Sequence, residues 1–263
     1  MRTITPIQES DLEFDNGTFD APAFAAQALA NWQSLASVID HTLLRPEATR
    51  AQIEQLCEEA ERYRFACALV NPVWASTAVN LLSGSGVQAG AVIGFPFGAS
   101  LVSTLRHEAA SLARLGVREL DMAIPLGLLK SGDYHAVQHT IHAVAGVAHH
   151  HGALLKVILE TSLLTLEEKL RATEIAIQAG ADFVRTSTGL SSRGAIAPAA
   201  APDVAPDVAP DVALMRGVAG ARCGVKAAGG IRTLAGVRAM LDAGANRIGT
   251  SASVAILREL GAE

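Results

Sequence analysis

From residue 37 onward, short runs rich in Val, Ile, Ala and Leu alternate with stretches of 10 to 20 residues in which apolar positions follow a helical period. Eight such pairs can be counted, with strands expected near 37–40, 66–70, 87–93, 119–123, 154–159, 182–185, 223–226 and 247–249. The helices between them open on capping signals, as in Thr165-Leu-Glu-Glu168, where a Ser/Thr-x-x-Glu box can satisfy two orphan N–H groups. Strand–helix alternation of this kind builds a parallel sheet. Eight units in one chain predict an α/β protein with a (β/α)8 TIM barrel, and a doubly wound open sheet is the alternative. A barrel gathers its chemistry at the C-terminal ends of its strands, and the polar residues expected there are Asp40, Asn71, Asp121, Glu160, Arg185, Lys226 and Ser251.

Two segments stand outside this pattern. Residues 1–35 form an N-terminal extension, mixed and polar to about residue 24 with a helix expected near 22–35, placed to cap the barrel bottom or to meet a second subunit. The barrel then occupies 36–263, interrupted by a Pro/Ala-rich insertion at 196–213. There Ala-Pro-Asp-Val is written three times in tandem across 201–212. Its prolines resist a continuous helix, so a surface loop or lid after the sixth strand is expected, with a slippage insertion of no function as the simplest origin.

Composition narrows the class. A chain of 263 residues suits one barrel, and 50% apolar residues with only 4% aromatics describe packing by small side chains. No apolar run reaches 18 residues and the N-terminus lacks a basic region followed by an apolar core, so a soluble, unexported protein is expected. A net charge of −5 without a basic tract argues against nucleic acid and membrane partners. Cys57, Cys67 and Cys223 are odd in number and lack CxxC spacing, which suggests buried free thiols rather than disulfides or zinc. His135, His139 and His142 share a helical face and His149–His151 follow, but that helix belongs to the outer ring, so no metal is expected.

Only four of the 21 basic residues are lysines, and two of them, Lys156 and Lys226, lie inside apolar strand-like runs. Lys226 precedes a Gly229-Gly230 turn and a helix, an arrangement whose backbone N–H groups can cradle phosphate. Asn246-Arg-Ile-Gly-Thr-Ser251 repeats the arrangement one unit later. Asp121 sits within a short apolar strand, where an acid is rarely left unpaired; it can move protons or form a structural ion pair with Lys156 or Arg185. By the two-residue period of a strand, Lys156 shares a face with Ile158 and Glu160, so a structural pair of Lys156 with Glu160 or Asp121 is the plainer reading. Arg185 ends the sixth strand in Ala181-Asp-Phe-Val-Arg-Thr-Ser-Thr-Gly189 and runs into an anion-binding type of loop.

These residues carry a resemblance to the deoxyribose-phosphate aldolases that extends from Val38 to Ile256. It rests on Ile39-Asp-His-Thr-Leu-Leu44, Val70-Asn-Pro72, Val92-Ile-Gly-Phe-Pro-Phe-Gly98, Leu120-Asp-Met122, Lys130-Ser-Gly-Asp-Tyr134, Lys156-Val-Ile-Leu-Glu-Thr161 and the segments 180–189, 225–233 and 247–251. The resemblance implies a cytoplasmic enzyme, often a homodimer, that joins acetaldehyde to glyceraldehyde 3-phosphate in an aldol step through a lysine iminium, with no metal or organic cofactor. It makes Lys226 the second lysine and Asp121 the proton-handling acid. Gly189, Gly229, Gly230, Gly249 and Ser251 become phosphate-binding groups, with Asp40, Thr42 and Thr188 completing the substrate-binding set. The chain departs at the nucleophile, where Arg185 replaces the lysine, and also at Arg45, Leu69 and Pro125.

A guanidinium stays protonated and cannot form an iminium. Three readings follow. Lys226 or Lys156 takes over as nucleophile beside Arg185; or the barrel performs another carbonyl reaction without a Schiff base, such as cyclisation or dehydration, with Arg185 as a clamp; or the protein binds an anionic small molecule without catalysis.

Overall fold

The strands that read as near-continuous apolar runs do so because both of their faces are covered, by helices outside and by other strands' side chains within. In the computed structural model, which describes residues 18–189 and 205–263, eight parallel strands close into a barrel. They are β1 (Ile39–Leu43), β2 (Cys67–Val70), β3 (Gln88–Ile93), β4 (Glu119–Ala123), β5 (Leu154–Ile158), β6 (Phe183–Arg185), β7 (Gly224–Ala228) and β8 (Arg247–Thr250). Each pairs with its sequence neighbour, and β8 returns to β1 through Asp40 opposite Gly249. The open-sheet alternative is thereby removed.

The outer layer follows as α3 (Arg50–Tyr63), α4 (Ala75–Leu81), α5 (Val102–Leu115), α6 (Leu126–Lys130), α7 (Tyr134–His150), α8 (Leu166–Gln178), α9 (Ala205–Ala219), α10 (Leu234–Asp242) and α11 (Ser253–Glu259). The expected capping box opens α8: Thr165 Oγ1 accepts the Glu168 N–H at 3.3 Å, and Glu168 Oε2 accepts the Thr165 N–H at 2.8 Å. One continuous core fills the space between barrel and helices, while Cys67, Leu69 and Val92 make a small separate apolar cluster. Among the described residues no helix is long and apolar enough to cross a membrane. Cys57, Cys67 and Cys223 are buried and free.

Three expectations need correction. The helix expected near 22–35 is two helices, α1 (Ala21–Ala28) and α2 (Trp32–Ala36). Asn31 divides them, its side chain accepting the Ser34 N–H at 2.8 Å and so starting a new helix.

The second correction concerns the tandem repeat. Its second and third copies belong to α9 rather than to a loop. Pro206 falls in the first turn, where no N–H is required, and Pro210 removes one backbone bond further in. The four-residue period of the repeat puts Val208 and Val212 on one stripe, Val212 and Met215 are fully buried, and Asp211 pairs with Lys169 of α8 at 2.5 Å. Burial of that stripe outweighs the lost bond. The remainder of the insertion, 196–204, lies outside the described residues, apart from which the segment 1–17 is also not described.

The third correction is to strand ends. β7 runs two residues past Lys226, and Asp40, Asp121 and Lys156 are also interior to their strands, so these side chains occupy the barrel lumen rather than its rim.

Candidate active site

Strand register assembles the site. Asp121 of β4 lies opposite Lys156 of β5, and Arg185 of β6 lies opposite Lys226 of β7. Asp40, Asp121, Lys156 and Lys226 are completely buried, and Arg185 is 2% exposed. Lys226 Nζ donates to Asp121 Oδ2 at 2.7 Å and pairs with Asp40 Oδ2 at 2.5 Å. Lys156 Nζ lies 2.6 Å from Asp40 Oδ2 and 3.4 Å from Asp121 Oδ1, and it also pairs with Glu119 Oε2. Arg185 Nη1 donates to the same Asp121 Oδ2 as Lys226, at 2.7 Å, while its Nε and Nη2 donate to the Ser187 and Thr188 carbonyls at 3.0 and 3.5 Å. Arg247, at the start of β8, holds Asp40 Oδ1 at 2.8 Å and lies 3.4 Å from Glu119 Oε1.

The electrostatics separate the two lysines. Burial lowers the pKa of either ammonium, because the neutral amine is the cheaper form to desolvate. For Lys156 the carboxylates of Asp121, Asp40 and Glu119 overcome burial and hold it well above the ordinary lysine range. For Lys226 burial prevails: Asp121 and Asp40 oppose it, but the positive charges of Lys156 and Arg185 add to it, and the amine is pushed below its ordinary value. Burial would raise Asp40 and Asp121, yet the surrounding cations hold both far below the usual carboxylate range. The lumen therefore keeps Asp40 and Asp121 ionised and leaves Lys226 as the amine that gives up a proton more readily than Lys156.

The loops above this cluster supply a second element. Gly189, Gly229 and Gly230 all take positive φ (82°, 98° and 73°), a conformation that side chains disfavour, and a Cβ on Gly189 would meet the Gly229 Cα at 3.9 Å. The β6 and β7 turns thus come together as bare backbone, fixed from below by Thr186, whose Oγ1 donates to the Ala228 carbonyl at 2.9 Å and accepts the Ala228 N–H at 3.0 Å. Ser251 is exposed nearby in sequence to Gly249, which lies buried within β8. A Cβ on Gly249 would stand 2.9 Å from Lys226 Cε, so this glycine makes room for the lysine stem.

Other candidates do not join the cluster. Glu160 does not share the face of Lys156, because β5 ends at Ile158 and Glu160 turns into left-handed φ 57°. Its carboxylate instead accepts the N–H and hydroxyl of Thr188, at 3.1 and 2.5 Å. Thr42 is half-buried and donates to the Asp40 carbonyl at 2.8 Å; Asn71 donates to the Leu44 carbonyl at 3.1 Å. Sequence reasoning missed Glu119 and Arg247. The two-residue strand period placed Glu119 on the face of Asp121, a legible signal, whereas Arg247 reaches its partners only through barrel closure. Asp40, Cys67 and Glu119 offer donor atoms within 4.8 Å of one another. The two carboxylates are engaged by Lys156 and Arg247, and burial pushes the Cys67 thiol well above its ordinary pKa.

A closed (β/α)8 barrel with two lysines and an acid hydrogen-bonded in its lumen, below paired glycine turns, is a scaffold of the Schiff-base aldolase class. Comparison with known proteins agrees. The family model described as "DeoC/LacD family aldolase" matches residues 34–259. A deoxyribose-phosphate aldolase of Geobacillus sp. (strain WCH70) is 48% identical over 224 residues, 85% of this chain and 95% of that protein. One from Halalkalibacterium halodurans is 49% identical over 226 residues, 86% and 95% of the two chains. Among solved structures, the tetrameric deoxyribose phosphate aldolase from Aeropyrum pernix superposes with a TM-score of 0.79 at 33% identity, covering 91% of this chain and 96% of the other. The chain belongs to the DeoC/LacD aldolase family.

Proposed function

We propose that the protein is a class I aldolase for a 2-deoxyribose 5-phosphate type of substrate, with Lys226 as the nucleophile in place of the usual position, which Arg185 occupies. The observation that carries this reading is the shared oxygen: Arg185 and Lys226 both donate to Asp121 Oδ2, so a permanent cation stands beside a fully buried amine. Like-charge repulsion and desolvation favour the neutral, nucleophilic form of that amine.

In the cleavage direction, the free Lys226 amine adds to the C1 carbonyl of the open-chain sugar to give a carbinolamine, which loses water to an iminium. As the C3 hydroxyl gives up its proton, the C2–C3 bond breaks, its electron pair moves into the iminium to form an enamine, and glyceraldehyde 3-phosphate leaves. Protonation of the enamine at C2 and hydrolysis then release acetaldehyde and restore the amine. Asp121 contacts Lys226 at 2.7 Å and Lys156 at 3.4 Å, a position suited to passing protons between the two. The phosphate fits the Gly189, Gly229, Gly230 and Ser251 turns, with Asp40, Thr42 and Thr188 bordering the substrate path.

A clamp role for Arg185 without a Schiff base is less well supported, since each of its three nitrogens already donates to a protein oxygen. The test is borohydride trapping with acetaldehyde and with deoxyribose 5-phosphate, followed by peptide mass mapping of Lys130, Lys156, Lys169 and Lys226. A secondary-amine adduct on Lys226, and loss of turnover in Lys226→Ala, are expected. No adduct on any lysine, with a known aldolase labelled in parallel, overturns the proposal.

A further inference from the structure

We infer that Glu119, held by Arg247, is a positioning residue that decides which of the two lumen lysines acts as nucleophile, by serving as the carboxylate that engages Lys156 and not Lys226. This rests on the reading that Lys226 forms the Schiff base.

The two ammonium groups meet nearly the same partners. Both touch Asp40 Oδ2, at 2.6 Å for Lys156 and 2.5 Å for Lys226, and both touch Asp121, at 3.4 and 2.7 Å. On the anionic side the difference is Glu119, whose Oε2 pairs with Lys156. On the cationic side it is Arg185, which shares Asp121 Oδ2 with Lys226. Without Glu119, Lys156 would keep two carboxylates, just as Lys226 does.

Glu119 is fixed to this task. It is 3% exposed and lies on β4 two residues before Asp121, so the strand period points both into the lumen. Its other oxygen faces Arg247 Nη2 at 3.4 Å, leaving Oε2 for Lys156. Arg247 is itself tied to Asp40 Oδ1 at 2.8 Å and stacks over the Phe183 ring at 5.4 Å. The remaining ionisable groups around Lys156 do not substitute for Glu119. On β2 the Cys67 thiol is held protonated by burial and by the charges of Glu119 and Asp40. On β7 Lys226 is a like charge that repels Lys156 rather than engaging it, and Arg185 on β6 donates to Asp121.

With Glu119 neutralised, either amine can condense with an aldehyde. The nitrogen lone pair adds to the carbonyl carbon, the carbonyl oxygen leaves as water, and borohydride delivers hydride to the iminium carbon to fix the adduct.

The experiment compares the unmutated protein with Glu119→Gln. Each is incubated with acetaldehyde and borohydride across a pH series, and the adducts on Lys156 and Lys226 are quantified by peptide mass mapping. In the unmutated protein labelling is expected on Lys226 first, with Lys156 following only at higher pH. In E119Q the Lys156-to-Lys226 ratio is expected to rise by about tenfold or more, the scale of losing a carboxylate partner, and Glu119→Asp should restore much of the original preference. An unchanged ratio in folded E119Q overturns the inference while leaving Lys226 as nucleophile. Should E119Q not fold, the unmutated protein still decides: Lys156 labelling in step with Lys226 as pH rises overturns it. Absence of any adduct in the unmutated protein overturns the Schiff-base reading itself.

Discussion

Replacing Arg185 by glutamine removes one buried positive charge and leaves a shorter, neutral side chain with two N–H donors in place of five. Arg185 Nη1 and Lys226 Nζ each lie 2.7 Å from Asp121 Oδ2, so the two nitrogens are no farther apart than twice that distance. At a separation of about 5 Å and an effective dielectric of about 20, two unit charges repel by about 3 kcal/mol. Removing that repulsion favours the ammonium form of Lys226, so the neutral amine falls about a hundredfold at neutral pH, where about 1.4 kcal/mol corresponds to a factor of ten.

The assay is kcat/KM for cleavage of deoxyribose 5-phosphate as a function of pH. Arg185→Gln is expected to lose about two orders of magnitude near pH 7 and to regain activity as pH is raised, because its acid limb moves to higher pH. Arg185→Lys retains a cation and so retains the acid limb, while adding an amine that borohydride trapping should also label. Stability falls in both, by less than the roughly 3–5 kcal/mol of stranding a buried charge, because Asp121 keeps Lys226 at 2.7 Å and Lys156 at 3.4 Å. An acid limb in Arg185→Gln that coincides with that of the unmutated protein would refute the charge argument, whatever the change in kcat.

Two further outcomes follow from the same geometry. In Gly249→Ala the new methyl would lie 2.9 Å from Lys226 Cε and 3.0 Å from Ala228 Cβ, so overpacking should lower stability by about 1–3 kcal/mol and displace the amine, cutting kcat by up to about a hundredfold; wild-type kcat in this variant would show that the stem has room to spare. Asp40 and Asp121 have folded pKa values depressed below the unfolded range, so they stabilise the fold above about pH 4 and that stabilisation is lost as pH falls further. Urea midpoints should therefore drop steeply below pH 4, and Asp40→Asn should flatten this slope; equal slopes would assign acid unfolding to other groups.

The alternation of apolar runs and helical stretches was sufficient for eight strand–helix pairs, each a local signal, while the pairing of β8 with β1 decided closure over the open sheet. The same local signals failed where tertiary burial or a cap outweighed them. The Pro-bearing repeat entered α9 because its four-residue period lays half-buried Val208 and fully buried Val212 on one core-facing stripe, and Asn31 cut one expected helix into two.

Of the candidate site, several members were legible one by one along the chain: the isolated lysines Lys156 and Lys226, the acid Asp121 inside an apolar strand, the arginine at position 185 and the glycine turns at 189 and 229–230. It also carried the family resemblance, which the comparisons bear out. How these groups share charge is set by the closed barrel. Asp40, Lys226 and Arg247 are brought together by β8 closing against β1, more than 180 residues apart along the chain, and Glu119 gains its meaning only from the Lys156 ammonium of the neighbouring strand. Coulomb interactions depend on distance and burial rather than on sequence spacing, so which lysine keeps its proton is a property of the closed barrel and not of any motif within it.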